Sequence, residues 1–314
     1  MQQRHNSADS IWKTINLLCL SFVAILIVVS AIVPNKVVNS STMMFQLTFA
    51  GLVFWGTSRY EHRISSSLGI VLFQTARIVG MSSFLFQVMA NFQHIIVEGW
   101  MDGGLLSVER SLTGVEASVF LQTYIDPFIT EGLMFAYIMY VPLLPLVAII
   151  CYWSKGVRGA AEYLLNLTLA FLVCYAGFML YPVASPLYHQ PQLYNVDLHG
   201  GLFAWCAESI RHSQHYPGGS LPSTHCAAAT IMIIMLFRHN RKAFLVLLPT
   251  LLSVYVATVY GRFHYAWDGI AAILTSSAAV MWGGHIVSAI DRVELRLFAN
   301  QESSNLRTQL NERH

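Results

Sequence analysis

Residues 162–181 read EYLLNLTLAFLVCYAGFMLY, a run of 20 residues in which Glu162, at its start, is the one charged side chain. A helix needs about 20 predominantly apolar residues to cross the hydrocarbon core of a bilayer. This stretch has that length and that composition, so it predicts a transmembrane helix. Runs of the same kind recur on both sides of it.

Seven further apolar runs join the first, and together they predict an all-α fold, a polytopic membrane helix bundle of about eight transmembrane helices. The first run ends at Ile32-Val33-Pro34 with no cleavage site of small residues, so we interpret it as a retained span. The eight candidate spans lie at about 12–33, 43–57, 67–93, 130–153, 162–181, 223–238, 243–260 and 266–288.

Composition excludes several classes of protein. Apolar residues make up 55% of the 314 residues and charged residues only 11%, against roughly 25% charged in a soluble domain. The net charge of +2 is small and the basic residues are dispersed, which argues against nucleic-acid binding. The five cysteines form no CxxC, and the pair His212-x-x-His215 has no ligand set beside it, so we expect no metal and no cofactor.

Lysine and arginine residues predict the orientation of the bundle. Thirteen of the 18 flank the spans on the side that holds both termini, four lie in the loops of the other side, and Arg77 lies within the third span. Basic residues concentrate in cytoplasmic loops. We therefore expect both termini in the cytoplasm, with loops 94–129, 182–222 and 261–265 outside. Arg77 either extends toward the inner interface or pairs within the bundle.

The outer segment 94–129 mixes apolar residues with Gly, Asp, Glu and Arg. Such a mixture is typical of helices that lie in the membrane interface. Two interpretations stay open. The segment is either a structural cap over the bundle or a lid, or lateral gate, for a lipid substrate.

Two polar clusters lie at span boundaries on the predicted outer side, at 218–225 and 260–268. His264 and Asp268 are four residues apart, so a helix would place them on one face. A carboxylate can accept the Nδ1 proton of an imidazole and leave Nε2 as a nucleophile. His225, from another helix, is positioned in sequence to act as a general acid.

The same clusters contain groups suited to an anion. Gly218 and Gly219 precede a helix and can offer backbone N–H groups, while Ser223 can donate its hydroxyl and Arg262 supplies a permanent charge. The set fits phosphoryl transfer through a phosphohistidine without a metal. Each feature also has an ordinary structural interpretation: Gly-Gly and Pro-Ser are common helix caps, and a histidine at a membrane interface is usually only a hydrogen-bonding residue.

Pro222-Ser223-Thr224-His225 and Arg262-Phe263-His264-Tyr265-Ala266-Trp267-Asp268 resemble the second and third signatures of the type-2 phosphatidic acid phosphatase superfamily. The His-Tyr-x-x-Asp form, with Arg two residues before the His, is most similar to the branch of inositol phosphorylceramide synthases and their bacterial relatives. The resemblance covers about residues 67–290 and implies a six-helix catalytic core. It leaves 1–66 as an additional N-terminal pair of helices and 291–314 as a cytoplasmic tail.

The resemblance also implies roles and partners. His264 would be the nucleophile, Asp268 the residue that orients it, and His225 the acid, at an extracytoplasmic site. In a bacterial relative, this site would lie on the periplasmic side of the inner membrane. The substrate would be a phospholipid, a sphingolipid phosphate or a polyprenyl phosphate. In a transferase, a second alcohol such as inositol would accept the phosphoryl group.

The first signature departs from the pattern of this branch. Residues 181–188 are similar to its Pro-x-x-x-Pro-Arg, but Leu187 stands where arginine is expected. We hypothesise that Arg211, Arg110 or His189 supplies the missing phosphate contact. A second interpretation follows from the same departure: a catalytically weak lipid-binding or transport protein that retains the fold.

Overall fold

The computed structural model describes residues 2–214 and 216–311, and the side chains of all of these except 2–7, 62, 212–214 and 294–311. Helices dominate this part of the chain, which contains no strand, so the all-α prediction is confirmed. The helices are α1 Gln2–Ile32, α2 Ser40–Ser58, α3 Ser67–Val88, α4 Asp102–Thr113, α5 Ala117–Leu121, α6 Pro127–Leu180, α7 Pro186–His189, α8 Leu202–Gln214, α9 Thr224–His239, α10 Arg241–Tyr260 and α11 Ala266–Asn311.

Five helices are long and apolar enough to cross a membrane, and they indicate a multi-pass membrane protein. They are α1, α3, α6, α10 and α11, with α9 a shorter apolar helix of 16 residues. The count of eight spans stays a prediction.

Helix α6 is a hairpin of two helical arms. It has 54 residues, and a straight helix of that length would measure about 81 Å, far more than the roughly 30 Å of hydrocarbon. The backbone breaks at Gly156, where φ is 70° and ψ is −164°. The Tyr163 hydroxyl then donates to the carbonyl of Leu144 at 3.2 Å, although 19 residues of straight helix would separate them by about 28 Å. Residues 127–155 and 157–180 therefore pack side by side.

Three loops predicted to lie on the outer side, two of them long, meet at one end of the bundle. We call it the histidine end, and define it by residues 94–129, 182–222 and 261–265. The Met101 N–H donates to the Pro182 carbonyl at 2.8 Å, and the Leu187 N–H donates to the Arg262 carbonyl at 3.1 Å. The grouping of these loops is as the charge pattern predicts.

Three other connections lie at the opposite end, which we call the far end (residues 58–66, 154–161 and 239–242). Asn240 donates from its side-chain amide to the Ser154 hydroxyl at 3.1 Å. Near the same end, Ser10 at the start of the first span donates to Asp291 on α11. Which end faces the cytoplasm stays a prediction.

The second arm of α6 forms the centre of the bundle. Its buried side chains include Tyr163, Leu164, Cys174 and Tyr175. Helices α1, α3, α9 and α11 pack against it. Residues 227–229 of α9 are three fully buried alanines. Small side chains let helices approach closely, which is how membrane helices gain packing energy.

Arg77 joins the N-terminal helices to α3. Its guanidinium donates to the Asn16 side chain at 3.1 Å, the Phe54 carbonyl at 2.7 Å and the Thr57 hydroxyl at 3.0 Å. The residue is only 9% exposed. Of the two alternatives, pairing within the bundle is therefore the one that the structure shows, because polar partners on α1 and α2 reach the charge where it lies.

We expect Arg77→Met to lower the melting temperature of the purified protein by several degrees. The change leaves one buried and two partly buried acceptors on α1 and α2 without their donor. Each lost hydrogen bond to a charged group costs about 1.5–3 kcal/mol. Arg59→Met is the matched control, because Arg59 is exposed at the end of α2. Equal melting temperatures for the two variants would contradict the anchoring role of Arg77.

Candidate active site

His264 and Asp268 contact each other, although not across one helical face, which is the arrangement that their spacing suggested. His264 lies in the loop before α11 and Asp268 in the first turn of α11, with 3.1 Å between Nδ1 of the imidazole and Oδ2 of the carboxylate. His264 is 5% exposed and Asp268 is fully buried. A carboxylate at Nδ1 fixes the tautomer that leaves Nε2 with a lone pair for attack.

Ser220 completes the surroundings of this pair. Its hydroxyl lies 2.5 Å from Oδ2 of Asp268 and 3.2 Å from Nδ1 of His264. The Ser223 N–H donates to the backbone carbonyl of Asp268 at 3.1 Å, which ties the start of α9 to the start of α11. Sequence reasoning missed Ser220, for which the only signal was its position directly after the two glycines.

His225 lies beside His264, as predicted. The ring centroids are 5.8 Å apart and the planes cross at 62°. Tyr137 stacks on His225 at 4.7 Å, and Phe263 stacks on Tyr137 at 4.6 Å. Tyr140 contacts the same imidazole at 4.6 Å. These aromatic rings fix the orientation of His225, and no local sequence pattern pointed to them.

The two histidines line an apolar cavity of about 370 Å³. Its walls come from α3, both arms of α6, α8 and the start of α9. On α3 the lining runs from Gln87 to Val79, a descent of about 12 Å along the helix axis. The remaining wall residues are Ser82, Ser83, Phe86, Tyr137, Tyr140, Val141, Leu144, Phe171, Tyr175, Ile210, Gly219 and Thr224.

Among the residues that the structure describes, no lysine or arginine lines this cavity. Its polar groups are hydroxyls, amides and the two imidazoles. Any positive charge in the lining therefore depends on protonation of His225 or His264. The dipole of α9 adds partial positive charge, because the cavity reaches the first residues of that helix.

Gly218 and Gly219 form the turn that carries Ser220. Their φ angles are 106° and 63°, a region that favours glycine. The Gly218 N–H donates to the Ala184 carbonyl at 3.1 Å, and the Gly219 N–H donates to Oε1 of Gln93 at 2.8 Å. Both donors are thus engaged within the protein in this structure, so the anion-binding role predicted for them would require these bonds to exchange.

Arg262 lies near the histidines in sequence, but its side chain is directed elsewhere. Its guanidinium donates to the Val196 carbonyl and lies 4.4 Å from the centroid of the Tyr194 ring. Burial lowers the pKa of this guanidinium, an effect that Tyr194 and Asp197 oppose. Its backbone has a φ of 66°. The side chain does not line the cavity, so its predicted contact with a phosphoryl oxygen is not formed in this arrangement.

Ser223 is the N-cap of α9. Its hydroxyl accepts from the Cys226 N–H at 3.3 Å, and the residue is fully buried. The structure thus shows the ordinary capping contact that was the alternative for this residue.

The pair His212 and His215 cannot be placed at the site. The side chain of His212 and the whole of His215 lie outside the described residues.

The first-signature segment lies beside the third, since Leu187 donates its N–H to the Arg262 carbonyl. The three residues proposed to replace its missing arginine lie outside the cavity lining. Arg211 pairs with Glu208, Arg110 pairs with a carboxylate of its own segment, and His189 is exposed. The replacement hypothesis stays a prediction.

Asp102 fixes the outer helix α4 against the site. Its fully buried carboxylate accepts from the N–H groups of Ala184 at 2.8 Å and Ser185 at 3.2 Å, and from the Tyr265 hydroxyl at 2.8 Å. Burial, and then the nearby Asp102, raise the pKa of Tyr265, so its hydroxyl stays a donor. No residue of 94–129 lines the cavity, and these contacts favour the cap over the lid.

Fold and site together define a membrane-embedded helix bundle with two histidines and a buried carboxylate at one end of an apolar cavity. A family model of the PAP2 superfamily matches residues 103–282, which is more than half of the chain. The chain therefore belongs to the PAP2 superfamily, and this membership indicates a phosphatase-type lipid phosphoesterase.

The family match begins in α4 and ends in α11, so α1–α3 lie outside it. No curated protein and no solved structure gave a significant match. The narrower resemblance to inositol phosphorylceramide synthases stays a prediction.

We expect Gly177→Ala to lower both turnover and melting temperature. A Cβ at Gly177 would lie 2.5 Å from Cδ of Pro222 and 3.0 Å from the Leu221 carbonyl, so the turn between Ser220 and α9 would have to move. Overpacking of this kind costs about 1–3 kcal/mol. Gly132→Ala, on the same helix with nothing within 4 Å of its Cβ, should behave as wild type. Normal turnover of Gly177→Ala would contradict the need for this close contact.

Proposed function

We propose that this chain is an integral membrane lipid phosphatase or phosphotransferase that works through a phosphohistidine. The observation that supports it most is the buried His264–Asp268 pair, which lies across from His225 at the mouth of an apolar cavity. An imidazole nucleophile with a fixed tautomer and a second imidazole for the leaving group are the two elements that such a reaction needs. It needs no metal and no cofactor.

In the first half-reaction, Nε2 of His264 attacks phosphorus while the bond from phosphorus to the leaving oxygen breaks. His225, protonated at this stage, donates its proton to that oxygen, which departs as an alcohol or as a phosphate. Asp268 accepts the Nδ1 proton of His264 in a hydrogen bond and stabilises the positive charge that develops on the ring. The product is a phosphorylated His264.

In the second half-reaction, water or another alcohol attacks the phosphorus. His225, now neutral, accepts the proton of the attacking hydroxyl, and the bond between Nε2 and phosphorus breaks. Water gives a phosphatase, whereas an alcohol such as inositol gives a transferase. Both enzymes share the first half-reaction, so the second reactant determines the class.

The cavity suggests how the substrate lies. Its apolar walls suit a lipid chain, with the phosphate beside the histidines, and a phospholipid, a sphingolipid phosphate and a polyprenyl phosphate all fit this description. We propose that phosphate oxygens bind at the start of α9, where the first backbone N–H groups of a helix lack internal acceptors. Further contacts with the phosphate oxygens are proposed for five residues, each of which would first have to give up its present hydrogen bonds. These residues are Gly218, Gly219, Ser223, Arg262 and Arg211.

For the whole chain we propose eight spans, with α2, α9 and both arms of α6 each crossing the membrane. Residues 1–66 would add two helices to a six-helix core at 67–290, followed by a cytoplasmic tail at 291–314. The segregation of loops between the two ends supports this arrangement, and the excess of Lys and Arg at the far end supports cytoplasmic termini. The histidine end would then face the periplasm of a bacterial inner membrane.

We expect a cysteine at position 192 to react with a membrane-impermeant maleimide in intact cells, and a cysteine at position 242 to react only after lysis. Gln192 and Lys242 are both exposed, at the histidine end and the far end respectively. The wild-type chain is the background control, because four of its five cysteines are buried. The reverse labelling pattern would overturn the proposed orientation.

A second candidate function is lipid binding without efficient catalysis. It is favoured by Leu187 in the first signature and by a cavity without a cationic side chain among its described lining residues. A site of this kind would bind a lipid phosphate but stabilise little of the charge that develops during transfer.

We expect His264→Ala to abolish phosphate release, or head-group transfer, from a panel of phosphatidate, a polyprenyl diphosphate and a sphingolipid phosphate. Removing the nucleophile should lower turnover by at least about 10³-fold. His285→Ala is the control, since His285 is exposed and lies far from the site on α11. Assays with and without a chelator test metal independence. Wild-type turnover in His264→Ala would refute the mechanism, and binding without turnover in the wild-type protein would favour the second candidate.

A further inference from the structure

Ser220 is a buried side chain of the site to which neither the sequence nor the proposed reaction gives a role. It is 1% exposed and lies between the turn of two glycines and the start of α9. Contacts hold its backbone on both sides. Before it, the Gly219 N–H donates to Gln93. After it, Pro222 lies so close to Gly177 that a Cβ there would come within 2.5 Å of Cδ of the proline. The fold therefore fixes the position of the Ser220 hydroxyl.

The hydroxyl contacts both members of the His264–Asp268 pair. It lies within hydrogen-bond distance of Oδ2 of Asp268 and 3.2 Å from Nδ1 of His264. A hydroxyl has one proton, and an ionised carboxylate can only accept. Ser220 therefore donates to Asp268, and its oxygen is left to accept from the imidazole. The Nδ1 proton thus has two acceptors, because Oδ2 of Asp268 lies 3.1 Å from the same nitrogen.

Two acceptors at Nδ1 determine which nitrogen of His264 is available for attack. They place the proton on Nδ1 and leave the lone pair on Nε2. Nε2 has no hydrogen-bond partner among the described residues, and His264 lines the cavity. Ser220 precedes α9 whereas Asp268 belongs to α11. Acceptors on two different elements limit the rotation of the ring more than one acceptor would.

The Asp268 carboxylate depends on the same hydroxyl. All of its side-chain donors bond to Oδ2, and they are the Ser220 hydroxyl, Nδ1–H of His264 and the Tyr265 N–H at 3.0 Å. Oδ1 is buried and has no partner among the described residues. Without Ser220, one backbone N–H and the histidine itself would remain as donors. A buried carboxylate that loses a donor attracts a proton more strongly, either onto itself or onto the neighbouring ring.

A purely structural role for this hydroxyl would be redundant. A backbone hydrogen bond already ties the start of α9 to α11, because the Ser223 N–H donates to the Asp268 carbonyl at 3.1 Å. The hydroxyl of Ser220 contacts only the side chains of His264 and Asp268. Its two bonds therefore act on the reacting pair.

We propose that Ser220 is a positioning residue for the nucleophile. By donating to Asp268 and accepting from His264, its hydroxyl holds the imidazole in the orientation and the tautomer in which Nε2 meets phosphorus. Ser220 does not itself line the cavity, so it acts through these two side chains. The proposal rests on the proposed function, in which His264 is the nucleophile of phosphoryl transfer.

Kinetics of Ser220→Ala in the full-length protein in detergent test this role. We expect kcat to fall about 10-fold with KM within about 2-fold of wild type, because the change disturbs the nucleophile and leaves the substrate contacts in place. The acidic limb of the kcat profile should move about one unit to higher pH, since the carboxylate has lost one charge-assisted hydrogen bond. Ser220→Cys, which has a weaker donor of similar size, should move the limb in the same direction by less.

Other titratable groups near the pair are the same in all of these variants. A difference between wild type and Ser220→Ala therefore reports on the hydroxyl. These groups are Glu109 of α4, His225 and Cys226 of α9, and Tyr265 with its partner Asp102.

An NMR titration of the His264 imidazole gives a second measurement that needs no turnover. The protein carries ¹⁵N-labelled histidine, and the signal of His264 is assigned by its absence from His264→Ala. We expect this ring to take up its proton at a higher pH in Ser220→Ala than in wild type, because the neighbouring carboxylate is less compensated.

Ser276→Ala is the matched control. Ser276 is a fully buried serine of α11 whose hydroxyl donates to the Ala227 carbonyl at 3.1 Å. It lies about two helical turns beyond Asp268, so its loss should leave the acidic limb and the NMR titration at their wild-type positions.

An acidic limb and an NMR titration at their wild-type positions in Ser220→Ala would overturn the proposal. A rise in KM at unchanged kcat would do the same, because it would indicate a substrate contact. Absence of turnover in the wild-type protein would instead refute the proposed function. The NMR titration would then still show whether Ser220 controls the protonation of His264.

Discussion

The buried carboxylate of Asp268 is the interaction on which the histidine end depends. One of its oxygens lies within hydrogen-bond distance of Nδ1 of His264, the Ser220 hydroxyl and the Tyr265 N–H, while its backbone carbonyl accepts from Ser223. Burying an ionised carboxylate is costly unless donors surround it. The loop before α11, the turn before α9 and α11 itself must therefore assemble together, and the contacts that stabilise the fold here also orient His264.

A second buried carboxylate extends this network to the outer surface. Tyr265 lies between the two, because its N–H donates to Asp268 and its hydroxyl donates to Asp102. Asp102 in turn holds the backbone of Ala184 and Ser185. If α4 moved away from the bundle, the Asp102 carboxylate would lose these donors. The outer segment is therefore restrained through Tyr265, the neighbour of His264 in sequence.

Those features of the site that depend on local spacing were predictable from the sequence, and those that depend on tertiary partners were not. The sequence predicted that His264 and Asp268 lie close together, although His264 lies in the loop before α11 and not on a shared helical face. The distribution of Lys and Arg predicted which loops meet. The Arg262 side chain contacts Val196 and Tyr194, which are 66 and 68 residues away, and no local residue pattern predicted these partners. Likewise, Gln93 engages the Gly219 N–H from 126 residues away, and only the folded chain brings the two together.

The composition of the cavity constrains the electrostatics of the proposed reaction. With no lysine or arginine among its described lining residues, the positive charge that meets a phosphate must come from the start of α9 and from a protonated His225. Attraction between an imidazolium and a phosphate is stronger in an apolar surrounding than in water. His225 would thus bind the substrate in the same protonation state that lets it act as the acid. After that proton has passed to the leaving oxygen, a neutral His225 would no longer attract the departing product by charge, and it could accept the proton of the second reactant.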